Sequence, residues 1–373
     1  MCLISADVQG HIGFRLAVEI PRRKRGFGTL PLPGWEEAND WEEGYLPFAD
    51  MPFTLDPPEG YVATANNAPS HEPTPYLGVD WLDGYRQRAI VEALAGRRDW
   101  DLESMTALQR SVRSIPWEEL RPTLLCAEGS AGVLRAVALL RAWDGQMSHD
   151  SIGASVYALF IAEITRRVVE QKAPRTARRA LGEGFNPMLP HNTMFARRLG
   201  HIVRLLREQP PGFFAEGWAA PIAASLEAAV QRLGAQRGAA ESAWAWGEVR
   251  PLRLVHLFSR VNPLLDRVFG IGPLPGRGDS STIVQGTVDL LDPLMAVTEP
   301  VFAVTGAIPL IADPNDGLVT VESARWGRFL GCVPADHLDE VGQLAHLTPN
   351  LLSGFDHKDL YRRITAELHG DGL

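Results

Sequence analysis

A long stretch of helical periodicity, from Trp81 to about Gln236, dominates this 373-residue chain. Within it, Ser151–Glu170 places apolar side chains on one helical face, at spacings of three and four residues. Arg166 and Arg167 lie near the end of this run, where positive charge suits the helix dipole. The same pattern predicts four more amphipathic helices, whose apolar stripes should form a core: Val112–Cys126, Val133–Trp143, His201–Glu208 and Phe214–Leu233.

The first 70 residues are instead rich in glycine, proline and aromatic residues. Short apolar or alternating runs bounded by turn residues predict strands at Cys2–Ala6, His11–Val18 and Gly60–Ala65. The proline-rich stretches Leu30–Trp35 and Phe53–Pro58 are expected to be loops. A run of strands followed by a run of helices predicts an α+β fold.

Charge and cysteine content exclude several classes of protein. The formal net charge of −9 argues against broad contact with nucleic-acid phosphates. The one basic run, Arg22–Arg25, is expected to be a solvated loop. The three cysteines, Cys2, Cys126 and Cys332, are too dispersed for a disulfide framework or a thiolate zinc site. No apolar run is long enough for a membrane helix, and the lack of a signal peptide predicts a cytoplasmic protein.

The sequence carries no cofactor or metal motif. The ten histidines are dispersed, and H-E-x-x-H does not occur. A proline interrupts the glycine-rich run Gly270–Pro273, which also lacks the strand and helix that flank a dinucleotide-binding loop. We therefore expect neither a cofactor nor a metal ion.

Two residues in the last quarter of the chain suggest hydrolase chemistry. Asp316 and His337 follow the order in which the acid and the histidine of an α/β-hydrolase triad come after the serine. No G-x-S-x-G elbow precedes them. The nearest approach, Glu128–Gly132, lacks the first glycine and has no predicted strand before it. Ser130 and Ser155 are the candidate serines for an esterase that would use this pair.

A series of short motifs runs through the first 287 residues: Ser5–Phe14, Ile20–Arg22, Leu32–Trp35, Leu46–Phe48, Gly60–Asn67, Tyr85–Ile90, Met105–Gln109, Trp143–Gly145, Trp244–Gly247 and Gly278–Thr282. In this order they resemble the β-chain of penicillin acylases, also called penicillin amidases. The order of several motifs makes the resemblance far more specific than any one of them.

The resemblance implies an N-terminal-nucleophile (Ntn) hydrolase with an αββα core. In such enzymes a serine exposed by self-cleavage attacks an amide carbonyl, and its own α-amino group acts as the base. The resemblance also implies that Asn66 donates a hydrogen bond to the oxyanion and that Arg86 orients the site. On spacing alone, Asn66–Asn67 would predict a turn, because asparagine tolerates a left-handed backbone.

The chain departs from the family pattern in several ways. The family's nucleophilic serine lies well upstream of the match at Ser5–Phe14, so the nucleophile and the first sheet strands are expected to be missing. An upstream acylase segment would then be a partner. Ser111 replaces an Asp of many relatives, and no convincing calcium ligand lies between Asn67 and Asp80. The final β-chain segment, expected after Thr287, is also missing.

Cys2 offers a substitute nucleophile only if Met1 is removed, which would expose a thiol beside an α-amino group. Its place in the predicted strand that leads to Asp7 argues against this role. We expect Cys2 to be a buried small apolar residue instead.

The tail carries a second resemblance. Asn315–Gly327 followed by Asp336–Asp339 resembles the C-terminal end of bacterial triacylglycerol lipases. This implies that Asp316 orients and stabilises His337, which would act as the general base toward a serine. The predicted organisation is a partial Ntn-hydrolase β-chain followed by a partial α/β-hydrolase tail, with these segments: strand-rich 1–70, mainly helical 81–236, mixed 237–287 and lipase-like 288–373.

The leading hypothesis is a penicillin-acylase-type hydrolase of acylated amines, such as penicillins or acyl-homoserine lactones. It would be inactive alone, because no nucleophile is positioned. One alternative is a serine esterase that uses Asp316 and His337. Another is a non-catalytic chimeric chain or a gene-model artefact. Penicillin acylases are usually periplasmic, in contrast to the cytoplasmic location that this sequence predicts.

Overall fold

The computed structural model describes residues 2–28, 32–79, 81–184, 192, 197–254 and 270–284. The chain divides into two units, Met1–Pro251 with Pro275–Gly286, and Leu252–Leu274 with Thr287–Leu373. The described part of the second unit contains two short antiparallel strands, Leu252–Leu254 and Ile271–Leu274. The predicted lipase-like tail, with Asp316 and His337, lies outside the described residues.

The N-terminal strands of the first unit form two small antiparallel sheets. Strands β1 (Cys2–Ala6) and β2 (Ile12–Leu16) pair as adjacent strands, and β5 (Phe53–Leu55) pairs with the other edge of β2. Strands β3 (Pro21–Arg23) and β4 (Trp41–Tyr45) form the second sheet.

Two predictions for this region are wrong. Gly60–Ala65 is irregular rather than a strand, because an alternating pattern forms a strand only where a neighbouring strand pairs with it. Conversely, Phe53–Leu55 is strand β5 rather than loop. Pro52 and Pro57 flank this strand without interrupting its hydrogen-bonded ladder. The basic run also begins in a strand, β3, where Arg22 pairs with Glu42 at 2.9 Å.

The helices predicted between Trp81 and Gln236 are present, with shifted ends. The largest shift is in the last of them, which begins at Ala219 instead of Phe214. Gly212 and Gly217 adopt φ values of +81°, which a helix cannot contain. The described helices are α1 Tyr85–Gly96, α2 Leu102–Gln109, α3 Ile115–Leu125, α4 Ala131–Arg141, α5 Ile152–Lys172, α6 Ala177–Ala180, α7 Leu199–Glu208, α8 Ala219–Arg237 and α9 Trp246–Val249.

Polar side chains determine where several of these helices begin. Ser114, Ser130 and Ser151 accept hydrogen bonds from backbone N–H groups in the first turns of α3, α4 and α5. Asp101 and Ser104 form a reciprocal capping box at the start of α2. Each cap satisfies a backbone donor that has no partner within the helix.

Helix α5 lies at the centre of the core, with α8 and α4 packed against it. Its buried side chains include Tyr157 and Phe160. The Tyr157 ring lies 5.9 Å from Trp117 and 5.4 Å from Trp143, between ring centroids, and this cluster joins α3, the end of α4 and α5. Among the described residues, no helix has the length and apolarity needed to cross a bilayer.

Gly153, in the first turn of α5, allows Trp143 to pack against the helix backbone. A Cβ atom at this position would overlap Cβ and Cγ of Trp143. We expect Gly153→Ala to lower the free energy of unfolding by about 1–3 kcal/mol, because overpacking outweighs the better helix propensity of alanine. Gly234→Ala in α8 is the matched control, since no atom of the described residues, apart from its own stretch of helix, lies within 4 Å of its added Cβ. The control should gain about 0.5–1 kcal/mol in a urea titration, and equal changes would contradict the argument.

An exposed histidine–aspartate pair closes one end of the β1–β2–β5 sheet. His11 Nδ1 lies 2.6 Å from Asp56 Oδ2, and the other oxygen of Asp56 accepts from the backbone of Ile12 at 3.0 Å. The hydrogen bond to Asp56 raises the pKa of His11. The hydrogen bond from Ile12, followed by that with His11, lowers the pKa of Asp56.

These shifts stabilise the fold only where both groups are charged. The contribution of His11 is lost as the pH rises through its raised pKa, and that of Asp56 is lost as the pH falls through its lowered pKa. We expect Asp56→Asn to return the NMR-measured pKa of His11 toward 6.5, since asparagine tolerates the φ of +48° at this position. An unchanged pKa would show that Asp56 is not the cause.

Candidate functional site

The Asn66–Asn67 pair forms the turn that its composition predicts, and the two side chains have different partners. Asn66 adopts a left-handed φ of +62°. Asn67 is used within the turn, since its Oδ1 accepts from the Ala65 backbone at 3.0 Å and its Nδ2 donates to the Ala68 carbonyl at 2.9 Å. The side chain of Asn66 is exposed instead.

Arg86, in the first turn of α1, orients the Asn66 amide. Its Nη1 donates to Asn66 Oδ1 at 2.9 Å and to the Ala65 carbonyl at 3.4 Å. A guanidinium can only donate, so the oxygen of the amide must face it. The amide nitrogen Nδ2 of Asn66 therefore points away from Arg86. The structure thus brings together the two residues to which the resemblance gives roles, with Asn66 exposed.

The backbone keeps this pair in register. The N–H of Leu82 donates to the Asn66 carbonyl at 2.9 Å, and α1 begins three residues later. Arg86 therefore lies in the first turn of α1, and the segment just before this helix is hydrogen-bonded to the Asn66–Asn67 turn. Asn66 and Arg86 are 20 residues apart in the sequence, and the hydrogen bond from Leu82 holds the segments that carry them together.

The charges around Arg86 are partly withdrawn from water. Burial lowers the pKa of Arg86, opposed by the nearby carboxylate of Asp83. Burial is also the main cause that raises the pKa of Asp83 to about 6, with repulsion from Asp279 adding to it. A hydrogen bond from the backbone of Gly200, 3.1 Å from Asp83 Oδ2, acts in the opposite direction.

The Gly278–Thr282 motif supports the structure around the site. Asp279 Oδ1 accepts from the backbone and hydroxyl of Ser281, at 2.8 and 2.7 Å. The carbonyl of Gly278 accepts from the indole of Trp246 at 3.1 Å, and its N–H donates to Met147. Two motifs far apart in the sequence, Trp244–Gly247 and Gly278–Thr282, are therefore joined by the hydrogen bond from Trp246 to Gly278.

The candidate serines have structural positions. Ser130 caps α4 and donates to Glu227 at 2.7 Å, and the element before it is helix α3 rather than a strand. Ser155 is fully buried in α5. Cys2 lies in β1, as predicted, but it is half-buried rather than buried. Since Asp316 and His337 lie outside the described residues, the esterase alternative stays a prediction.

Sequence reasoning missed Asp83 and Gly200. Asp83 gave a weak signal, an acidic residue three positions before Arg86, whereas Gly200 gave none because its partner is 117 residues away. In the part of the chain that the structure describes, no group of three or more His, Cys, Asp or Glu side chains could hold a metal ion.

The comparisons with known proteins confirm the resemblance to penicillin amidases. The family model described as penicillin amidase matches residues 1–310, and the chain belongs to this family. The match runs past the boundary predicted at residue 287, and the lipase resemblance of the tail stays a prediction. The roles given to Asn66 and Arg86 likewise stay predictions.

Curated relatives carry two kinds of acylase name. Penicillin acylase 2 proenzyme of Pseudomonas sp. (strain SE83) is 31% identical over 288 residues, which cover 76% of this chain and 35% of that protein. The acyl-homoserine lactone acylases QuiP of Pseudomonas putida and Pseudomonas aeruginosa are 28% and 26% identical, over 73% and 75% of this chain and 35% and 36% of theirs. The chain thus spans about a third of the length of these relatives.

A solved structure, the thermostable penicillin G acylase from Alcaligenes faecalis, aligns with a TM-score of 0.49 at 22% identity. The alignment covers 65% of this chain and 48% of that one.

Proposed function

We propose that this chain forms part of an amide hydrolase for acylated amines and contributes the donor that stabilises the oxyanion. The observation that carries the proposal is the 2.9 Å hydrogen bond from Arg86 to Asn66 Oδ1, which turns the Asn66 N–H group away from Arg86. The names of the relatives, a penicillin acylase and acyl-homoserine lactone acylases, support an amide carbonyl as the reacting group.

The chemistry requires a fixed donor at the carbonyl oxygen. Attack on an amide places a negative charge on that oxygen, and a donor already in place stabilises the charge without reorganising. Asn66 Nδ2 would supply this hydrogen bond. Arg86 would act in two ways, by preventing rotation of the amide and by placing a positive charge near the developing anion.

We further propose that the nucleophile comes from an acylase segment upstream of the Ser5–Phe14 motif. The exposed apolar residues of the β1–β2–β5 sheet support this idea. Ile4 in β1 and Leu55 in β5 are 55% and 57% exposed, and Phe53 is 54% exposed. Strand β1 is also an edge of its sheet. An exposed apolar edge strand is suited to pairing with a further polypeptide segment.

The test is amide hydrolysis by the full chain, with and without the part of the Pseudomonas sp. relative that it does not match. Release of the amine from a chromogenic acyl-anilide and from an acyl-homoserine lactone would be followed. We expect no turnover by either component alone and hydrolysis when the two are co-expressed. A soluble complex that hydrolyses neither substrate would overturn the proposal, and turnover by the chain alone would overturn the need for the upstream segment.

A further inference from the structure

Asp83 connects the candidate site to a distant helix. Its Oδ2 accepts from the N–H of Gly200, near the start of α7, at 3.1 Å. Leu82, the residue before Asp83, donates to the Asn66 carbonyl at 2.9 Å, and Arg86 lies three residues after Asp83. The segment that carries Arg86 is therefore fastened on one side to the Asn66 turn and on the other side to α7.

The contact with α7 depends on a glycine. A Cβ atom added at Gly200 would lie 3.0 Å from Cβ of Asp83, which is tighter than nine in ten real Cβ contacts. A larger residue would therefore require Asp83 to shift by a few tenths of an ångström relative to α7. The φ of Gly200 does not require glycine, so close approach is the reason for it here.

The charges that face Asp83 come from several elements. Arg86 on α1 attracts its carboxylate, and Asp279 of the Gly278–Thr282 motif repels it. Tyr85 on α1 and Tyr157 on α5 also interact with it electrostatically. Keeping a carboxylate in such a place is unfavourable for stability, which suggests that it serves the site.

We propose that Asp83 is a positioning residue, which holds the first turn of α1, and with it Arg86, against the Asn66 turn. The proposal rests on the function proposed above. Asp83 would not touch the substrate. It would act through Arg86, so that the Asn66 amide presents its nitrogen to the reacting carbonyl in one orientation.

Glu119 provides a matched control. It is also a carboxylate that joins α1 to α7, since it accepts from Tyr85 at 3.3 Å and Arg88 at 2.7 Å on α1 and from Arg207 at 3.2 Å on α7. It lies on α3 and has no hydrogen bond to the Asn66 turn. Glu119→Ala therefore weakens the contacts between α1 and α7 and leaves the hydrogen bond between Asp83 and Gly200 in place.

The first measurement is amide hydrogen exchange of Leu82 in the full chain, together with the NMR signal of the Arg86 guanidinium. We expect Asp83→Ala to accelerate exchange at Leu82 about tenfold and to broaden the Arg86 signal, whereas Glu119→Ala changes the exchange less than about threefold. Asp83→Asn keeps an acceptor for Gly200 and should restore protection. Gly200→Ala should resemble Asp83→Ala.

Equal acceleration in Asp83→Ala and Glu119→Ala, or none in Asp83→Ala, would overturn the proposal. In the co-expressed complex, Asp83→Ala should also lower kcat by about 10–100-fold with little change in KM, because misplacing a positioning group costs rate rather than binding. If the complex hydrolyses nothing, the proposed function fails. The exchange measurements still decide whether Asp83 holds Arg86 in place.

Discussion

We expect Asn66→Gly to lower kcat of the co-expressed complex by about 10²–10³-fold, the effect of removing one oxyanion donor. Glycine is chosen because it adopts the φ of +62° that alanine would resist. The variant thus removes the amide without straining the turn. KM should change much less than kcat, since the hydrogen bond strengthens as charge develops on the carbonyl oxygen.

Asn67→Gly is the control for the loss of a turn asparagine. Among the described residues, the side chain of Asn67 bonds to its own turn alone, through Ala65 and Ala68. Its removal should loosen the turn and lower kcat far less than the Asn66 change does. Similar losses in the two variants would mean that turn stability, rather than the Asn66 donor, explains the effect. An Asn66→Gly enzyme that keeps full activity would contradict the proposed role of Asn66 as the oxyanion donor.

We expect Asp83→Asn to stabilise the fold at pH 8 by up to about 3 kcal/mol. Burial raises the pKa of Asp83 from 3.8 to about 6. Each unit of difference between the folded and unfolded pKa is worth about 1.4 kcal/mol, so the ionised carboxylate costs the folded state roughly that total. Asparagine keeps an oxygen for the Gly200 N–H and carries no charge. The cost of burying its amide nitrogen would reduce the gain.

The pH dependence distinguishes this explanation from a simple packing change. Because the folded pKa lies above the unfolded one, the fold binds a proton between about pH 4 and pH 6 and loses stability as the pH rises through that window. The advantage of Asp83→Asn should therefore be small near pH 4 and constant above about pH 7 in urea titrations. A gain that does not change with pH would contradict the assigned cause.

Asp99→Asn is a useful comparison in the same titrations. Its side chain is 84% exposed, and its hydrogen bond with Arg97 lowers its pKa. The sign of its effect is therefore opposite to that of Asp83, and we expect no gain in stability at pH 8. Together with the exchange measurements, a stabilising Asp83→Asn change and a slower Asp83→Ala enzyme would show that the site needs the Asp83 acceptor, while its charge costs the fold stability.

The helices were predictable because their information is local. In α5 the apolar spacing, the Ser151 cap and the terminal Lys172 all lie within the segment that folds. The strands were less so, since Phe53–Leu55 forms a strand only by pairing with β2. Glycines also limited the prediction for α8, because the positive φ at Gly217 depends on how the preceding loop packs.

The candidate site likewise has parts that the sequence predicted and parts that depend on residues far apart in the chain. Asn66 and Arg86 were named from motifs, but which of their atoms would meet required coordinates. Asp83 was missed because its partner Gly200, 117 residues away in the sequence, becomes its neighbour only in the folded chain.

The sequence by itself determined the family, the helical core and the two residues on which the proposed chemistry depends. These follow from short-range order, because helix periodicity and motif spacing are properties of neighbouring residues. Only the tertiary structure decided that the Asn66 amide oxygen accepts from Arg86, and that the half-buried carboxylate of Asp83 accepts from Gly200 near the start of α7. Both facts depend on hydrogen bonds between residues far apart in the chain, which packing alone brings within reach.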